Sequence, residues 1–429
     1  MSLVTVRRAL IVALFATLVS ACGGRGSSAP PPVGGLTVTP GDNQIVVTWT
    51  PDPGVEYWLF YAPTTSISTS NLSGVPGLRG LMNVTTPLIV PTLANGQLYS
   101  FTLDGRYDGG PGGPGTPSVS ATPRLSGTTW TAGGAMGSVD MRGVAYGAAS
   151  TGASYYLAAG AGGALYQSSD GVASAGLNWS LISGSGITSN LNAAAYAMSK
   201  FITVGDGGTI YSSTDLATWT AGTSINAQHL NAVAGSGTRV VAVGNAGTIE
   251  YSSDGITWLA AASVPTANNL YGVSYLNGMW MAVGQGGTLL TSSDGSSWTS
   301  VSLPPGTTAD LMGVAYRAAT TTTITIPTTT TTTTPAAYVV VGRGGLVLTS
   351  SDALTWTAQT LSPTADLLAV TPIYSQFLAV GAGGAVFNSQ DGTTWTAQTS
   401  GTASALYGLT NAQGQFVAVG QAGTNLFSR

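Results

Sequence analysis

From residue 127 onward the chain repeats with a period near 40 residues, and this limits its possible folds more than any other feature. VAVGNAGTIEYSSDGITW at 241–258, MAVGQGGTLLTSSDGSSW at 281–298 and LAVGAGGAVFNSQDGTTW at 378–395 are copies of one unit. Trp219, Trp258 and Trp298 lie 39 and 40 residues apart, and Trp356 and Trp395 lie 39 apart. One unit divides into four short strand-like runs. An A strand at 270–275 leads to Asn277-Gly278, a pair that favours a two-residue hairpin turn. A B strand at 279–283 runs into Gly284-Gln285-Gly286-Gly287, a tight turn that needs positive φ. A C strand at 288–292 follows, then Asp294-Gly295 as another turn, and a D strand starting at 297. Four strands in about 40 residues describe one blade of a β-propeller, which buries its two faces only against neighbouring blades.

The B strands end at Gly160, Gly205, Gly244, Gly284, Gly342, Gly381 and Gly420, and the D strands carry Trp130, Trp179, Trp219, Trp258, Trp298, Trp356 and Trp395. Both series number seven, but they are out of phase. The repeats begin with a D strand, ending at Trp130, and finish with a C strand, ending at Arg429. The expected fold is therefore all-β, with a seven-bladed propeller over 126–429 closed by its N-terminal strand, so that no open edge remains. Two units depart from the pattern. The first has a long C–D turn, SSDGVASAGLNW. The fifth carries a Thr- and Pro-rich insertion at 317–337, expected to be a solvated loop.

The SSDGxxW segment resembles the Asp-box of BNR-type propellers, a group that includes sialidases, sortilin-like receptors and photosystem II assembly-factor-like proteins. It is one residue shorter than the commonest Asp-box spacing. The resemblance implies a structural role: Asp254, Asp294 and Asp391 cap their own C–D hairpins, and each Trp packs between sheets. It specifies a fold and leaves function open.

Residues 36–123 form a separate stretch of about seven alternating strand-like runs, such as QIVVTWT at 44–50 and EYWLFYAP at 56–63, which fits a small sandwich. Trp49 closing the second strand, and LANGQLY at 93–99 ending in Tyr99, resemble the core Trp and tyrosine corner of a fibronectin type III module. That family implies a spacer in a bacterial protein.

The N-terminus explains the single cysteine. Arg7 and Arg8 precede an apolar run, ALIVALFATLV at 9–19, too short to span a bilayer comfortably. Val19-Ser20-Ala21-Cys22 then resembles a bacterial lipobox. The resemblance implies a signal peptide at 1–21, cleavage before Cys22 and acylation of both its thiol and its new amino group, which anchors more firmly than one chain can. Gly23, where Asp would signal inner-membrane retention, points to the outer membrane. Residues 22–35 read as a flexible tether.

Catalysis is not expected. Only 7% of residues are Asp, Glu, Lys or Arg. The repeats contain one Glu, Glu250, where a glycosidase needs two facing carboxylates. His229 is the only histidine and no nucleophile elbow accompanies it. No His or Cys cluster offers a metal site, and nothing calls for a cofactor. A net charge of -4 without a basic cluster argues against nucleic acid. A ligand should instead meet the face made by D–A loops and B–C turns. The A strands start at Met141, Leu191, Leu230, Leu270, Leu311, Leu367 and Leu406, and their neighbours point the other way. Arg142, Asn192, His229, Asn231, Tyr271 and Tyr407, with Arg343 from a B–C turn, are the candidate ligand-binding residues, a mix that suits a peptide or a glycan. The expected protein is a lipid-anchored component of the bacterial cell envelope that binds a protein or glycan partner. The rival readings are a passive structural or assembly component and a degenerate glycosidase.

Overall fold

The computed structural model describes residues 26–169, 177–324, 330–373, 376–412 and 414–429. The signal peptide expected at 1–21, the acylation expected at Cys22 and most of the first C–D turn fall outside them. The described residues form strands and single 3-10 turns, without an α-helix. The chain divides into two units, residues 1–124 with 323–331 and residues 125–322 with 332–429.

In the first unit, Thr37–Gly41, Gln44–Thr48 and Leu88–Val90 form one sheet. Ser28–Ala29, Tyr99–Arg106, Glu56–Ala62 and Arg79–Val84 form another, with Val119–Ala121 also paired to Tyr99–Arg106. Ile45, Val47 and Trp49 from the first sheet side share one core with Tyr57, Leu59, Phe101 and Leu103 from the second. Trp49 meets Tyr57 edge-on at 5.6 Å, and Tyr99 Oη accepts the N–H of Ala94 at 3.2 Å. The tether expected at 22–35 needs correction. Ala29 pairs with Gly105 and is buried. Gly105 has no side chain, which lets the Ala29 strand lie close: a Cβ there would stand 3.1 Å from that of Ala29.

The second unit is a propeller. Its described residues form seven four-stranded antiparallel sheets. In the fourth, Leu270–Leu276, Met279–Gly284, Thr288–Ser292 and Thr299–Ser300 run in order from A to D. All seven A strands start at the residues read from the repeat, each fully buried. All seven B strands end at the expected glycines. Those glycines are in extended backbone, so close approach demands them: a Cβ at any of the seven would collide with the carbonyl preceding its A strand, Asp140 O for Gly160 and Asn269 O for Gly284. The D strands are shorter than expected and begin after the Trp. The last sheet takes its fourth strand from the start of the unit, with Thr131 opposite Phe427 and Ala132 opposite Leu426. The first and last sheets pack together, Tyr156 Oη donating to Ala412 O at 3.2 Å.

The C–D hairpins are built on aspartate. Asp254 Oδ1 accepts from Ile256 N and Thr257 N at 2.8 Å, and Ser252 Oγ donates to the same oxygen at 2.9 Å. Asp294 and Asp391 repeat this arrangement. So do Asp215 and Asp352, in segments where Leu216 and Ala353 replace the glycine and take φ of 64°. These two escape an Asp-Gly pattern, although every one of the five aspartates stands four residues before a Trp. The Trp rings sit between sheets, Trp298 among Val241, Val243 and Leu290.

The Thr-rich insertion also differs from the solvated loop expected of it. Arg317 closes the A strand and Ala337 opens the B strand, directly opposite each other. Between them Thr320–Ile324 and Thr330–Thr334 pair as a two-stranded sheet. Threonine is β-branched and favours extended backbone, which outweighs the low complexity of the tract.

Candidate ligand-binding face

Each A strand carries an irregularity at the same place. Its first residue is paired, its second is skipped, and pairing resumes at the third. A bulge of this kind re-aims one side chain. The re-aimed residues are Arg142, Asn192, Asn231, Tyr271, Met312, Leu368 and Tyr407, all half-buried. Period-two reasoning selected five of them. Met312 and Leu368 are not among its candidates.

The sequence-selected residues do not form one cluster. Arg142, Asn192 and His229 come together around Asp206. Arg142 Nη1 donates to Asn192 Oδ1 at 2.8 Å, and Asn192 Nδ2 donates to Asp206 Oδ1 at 2.9 Å and to Leu230 O at 3.0 Å. His229 Nδ1 lies 2.9 Å from the same Asp206 oxygen, and Asn190 Nδ2 donates to Asp206 Oδ2 at 2.9 Å. Partial burial pushes the Asp206 carboxyl up, but the bonds from Asn192, Asn190 and His229 outweigh it and hold the group below its usual range. Asp206, in a B–C turn, is the centre of this network.

The network also reassigns a candidate. Both hydrogens and the oxygen of the Asn192 amide are engaged, so Asn192 ties sheets together and offers a ligand nothing. Asn231 repeats the pattern, its Nδ2 donating to Asn245 Oδ1 and Leu270 O at 2.9 Å each. Arg343 stands apart, half-exposed, 3.4 Å from Asp310 and 3.9 Å from Asp366. Burial raises the Tyr407 phenol, as does the nearby charge of Asp140, while Arg142 opposes them. Tyr407 therefore lies near both Asp140 and Arg142.

The bulge ring thus has a polar arc, Arg142, Asn192 and Asn231, and an arc of Tyr271, Met312, Leu368 and Tyr407. The groups left open to a ligand are the remaining donors of Arg142, the outward edge of His229, the two tyrosines and the two aliphatic side chains. Glu250 lies elsewhere, fully buried on a C strand, accepting from Ser224 Oγ and Ile225 N at 2.9 Å. Burial pushes its carboxyl up against those two bonds. Among the described residues no group of three or more His, Cys, Asp or Glu side chains is arranged to hold a metal ion.

No protein-family model matches the chain. No curated protein sequence matches it either. Solved structures do. YCF48 bound to D1 peptide has a TM-score of 0.53 at 17% identity, over 70% of this chain and 96% of that one. The WD40 β-propeller domain of Doa1 has a TM-score of 0.52 at 8% identity, over 70% and 97%. YCF48 from Cyanidioschyzon merolae has a TM-score of 0.50 at 16% identity, over 70% and 98%. What these chains share at such low identity is the propeller fold.

Proposed function

We propose that this chain is a lipid-anchored protein of the bacterial cell envelope that binds a segment of a partner protein and catalyses nothing. Cys22 carries the lipid, and the outer membrane is the proposed site. The first unit is a fibronectin type III-like spacer. The second is a seven-bladed propeller whose N-terminal strand completes the last blade and closes the ring.

The observation that carries the binding reading is the bulge at the second A-strand residue of all seven sheets. It re-aims one side chain per sheet, and those with free groups are the cationic Arg142 and the aromatic and aliphatic Tyr271, Met312, Leu368 and Tyr407. An extended peptide offers that combination, with backbone carbonyls or a carboxylate for Arg142 and apolar side chains for Met312 and Leu368. A glycan fits less well, because the Asn192 amide it would need is saturated within the protein. The similarity in fold to a protein described as bound to a D1 peptide supports peptide recognition here. Enzymatic function is disfavoured because Asp206 is held ionised within its own network and Glu250 is walled in.

The test is capture of partners from envelope extracts by a soluble form starting at Gly26, which keeps the Ser28–Ala29 strand. Tyr271→Ala, Tyr407→Ala and Arg142→Ala should each weaken capture of one partner at least ten-fold with the unfolding midpoint kept. Undiminished capture by all three would place the site elsewhere, and turnover of a glycoside would overturn the non-catalytic reading.

A further inference from the structure

The first unit begins close to the acylation site proposed above. Gly23, Gly24 and Arg25 alone lie between Cys22 and Gly26. Fully extended, they let Cys22 and Gly26 stand about 14 Å apart. The headgroup layer of a bilayer takes about 5–8 Å of that reach. Gly26 is itself fixed against the fold. Ser27 O accepts the N–H of Tyr107 at 2.9 Å, and Ser28 lies opposite Arg106. A Cβ on Gly26 would stand 2.0 Å from Tyr107 O and 2.6 Å from both Asp108 O and Gly110 N, so only glycine passes between these backbones.

The strand register gathers further loops at this end. Glu56 also lies opposite Arg106, Tyr57 lies opposite Val84, and Thr37 lies opposite Thr48. Trp49 N donates to Thr86 Oγ1 at 3.2 Å. Segments 30–36, 49–55, 85–87 and 107–117 therefore meet at one pole of the first unit. There Val33 is 79% and Tyr107 37% exposed, and Pro53 and Pro87 are exposed as well. Among the residues of these four segments Asp108 is the only charged one that is exposed, and Asp52 is half-buried, accepting from Tyr57 Oη at 3.2 Å. Arg106, next to Tyr107, keeps its charge within the unit, 3.0 Å from Asp104 and 3.5 Å over the Trp58 ring. A pole of exposed valine, proline and tyrosine with so little charge suits the interface of a bilayer, where tyrosine sets its ring against apolar carbon and its hydroxyl among headgroups.

We propose that this pole docks on the headgroup region of the membrane that holds Cys22, with Val33 and Tyr107 entering it. The proposal rests on the lipid-anchor reading of Cys22. The attraction is apolar, and the short tether keeps the pole at high local concentration over the surface, so a weak contact suffices.

The experiment takes the chain from Cys22 onward, whose only thiol is Cys22, and couples it to a maleimide lipid. The vesicles are phosphatidylethanolamine and phosphatidylglycerol, with a gadolinium chelate on some headgroups. Met82 is the only methionine of residues 22–124, is 62% exposed and stands two residues before Val84, so its labelled methyl group reports the distance of the pole from the metal. A second chain carries a Gly-Ser linker of about 20 residues after Arg25, which lets the unit move off by about 25 Å. The expected result is fast Met82 relaxation, more than half of it kept in the lengthened chain. Val33→Asp and Tyr107→Asp in the lengthened chain should each remove most of it with the unfolding midpoint kept. Loss on lengthening alone shows a unit held by its tether and overturns the proposal. Retention in both folded aspartate variants puts another face on the membrane and overturns it too. Should one variant not fold, the other and the lengthened parent decide. The mass of the N-terminal peptide from cells tests the anchor separately. An unacylated Cys22 overturns that reading and the proposal with it, whereas an acylated Cys22 with relaxation lost on lengthening overturns the docking alone.

Discussion

Asp140 Oδ1 accepts the backbone N–H of Ala422 at 3.0 Å, across 282 residues of chain. The same bond recurs inside the ring. Gly162 donates to Asn190 at 2.8 Å, Ala246 to Asn269 at 2.9 Å, Gly286 to Asp310 at 3.0 Å and Gly344 to Asp366 at 2.8 Å. The residue before each of these A strands caps the B–C turn of the preceding sheet, so the junction between last and first sheets is made like the internal ones. Asp140→Ala and Asp310→Ala should each lose about 1 kcal/mol, the usual net worth of such a bond. Urea unfolding measures both, and a much larger loss at Asp140 would mark the seam as a weak point.

The donors of those bonds have φ near 60°, and two of them are not glycine: Ala246 at 52° and Ala422 at 51°. Both are exposed, so no packing is lost on removing their methyl groups. A left-handed alanine is strained by about 1 kcal/mol, partly offset by the greater freedom of glycine in the unfolded chain. Ala246→Gly and Ala422→Gly should each stabilise the propeller by about 0.5 kcal/mol, seen as a raised urea midpoint. A fall would mean that the methyl groups make contacts of their own.

Acid should unfold this protein through its hairpin aspartates. Backbone N–H groups hold Asp254 and Asp352 at about 2, and Asp391 also reaches about 2 because its hydrogen bonds outweigh the effect of its burial. An unfolded aspartate titrates near 3.9. A carboxyl depressed on folding contributes stability that is complete above the unfolded value and disappears as pH falls to the folded one. The urea midpoint should therefore drop steeply between about pH 4 and pH 2, and Asp254→Asn should flatten that drop. Glu250 has the opposite sign, because burial raises it. Glu250→Gln should gain on the unmodified protein as pH rises above the unfolded glutamate value near 4.3.

The repeat made the sheet boundaries legible because its demands are local. A buried leucine starts each A strand, and a glycine ends each B strand where a carbonyl crowds it. What the repeat hid depends on a neighbouring unit or on a backbone irregularity. Asp140 and Asn190 look like ligand groups on their own strands, yet each serves the turn of another sheet. Spacing places Asn192 beside a buried A-strand leucine, but it does not reveal the saturation of Asn192 by Asp206, Leu230 and Arg142. Met312 and Leu368 join the ring through a bulge, which period-two reasoning lacks.

The Thr-rich insertion should be removable, but only together with one more change. The fourth sheet joins its A and B strands through Asn277-Gly278 alone, with Leu276 opposite Met279. The fifth sheet has Arg317 opposite Ala337 in the matching register, so a two-residue turn would fit the same geometry. Arg317, however, donates to Pro335 O and Thr320 Oγ1, both within the insertion. Cutting residues 318–336 down to Asn-Gly strands a buried guanidinium without those acceptors, a loss of about 2 kcal/mol. Leucine stands at the Arg317 position in the fourth sheet, and Arg317→Leu removes the stranded charge. The shortened chain should thus unfold at a lower urea concentration than the parent, and the shortened Arg317→Leu chain should recover most of the difference. Equal loss in both would show that the paired threonine strands stabilise the propeller by a route other than Arg317.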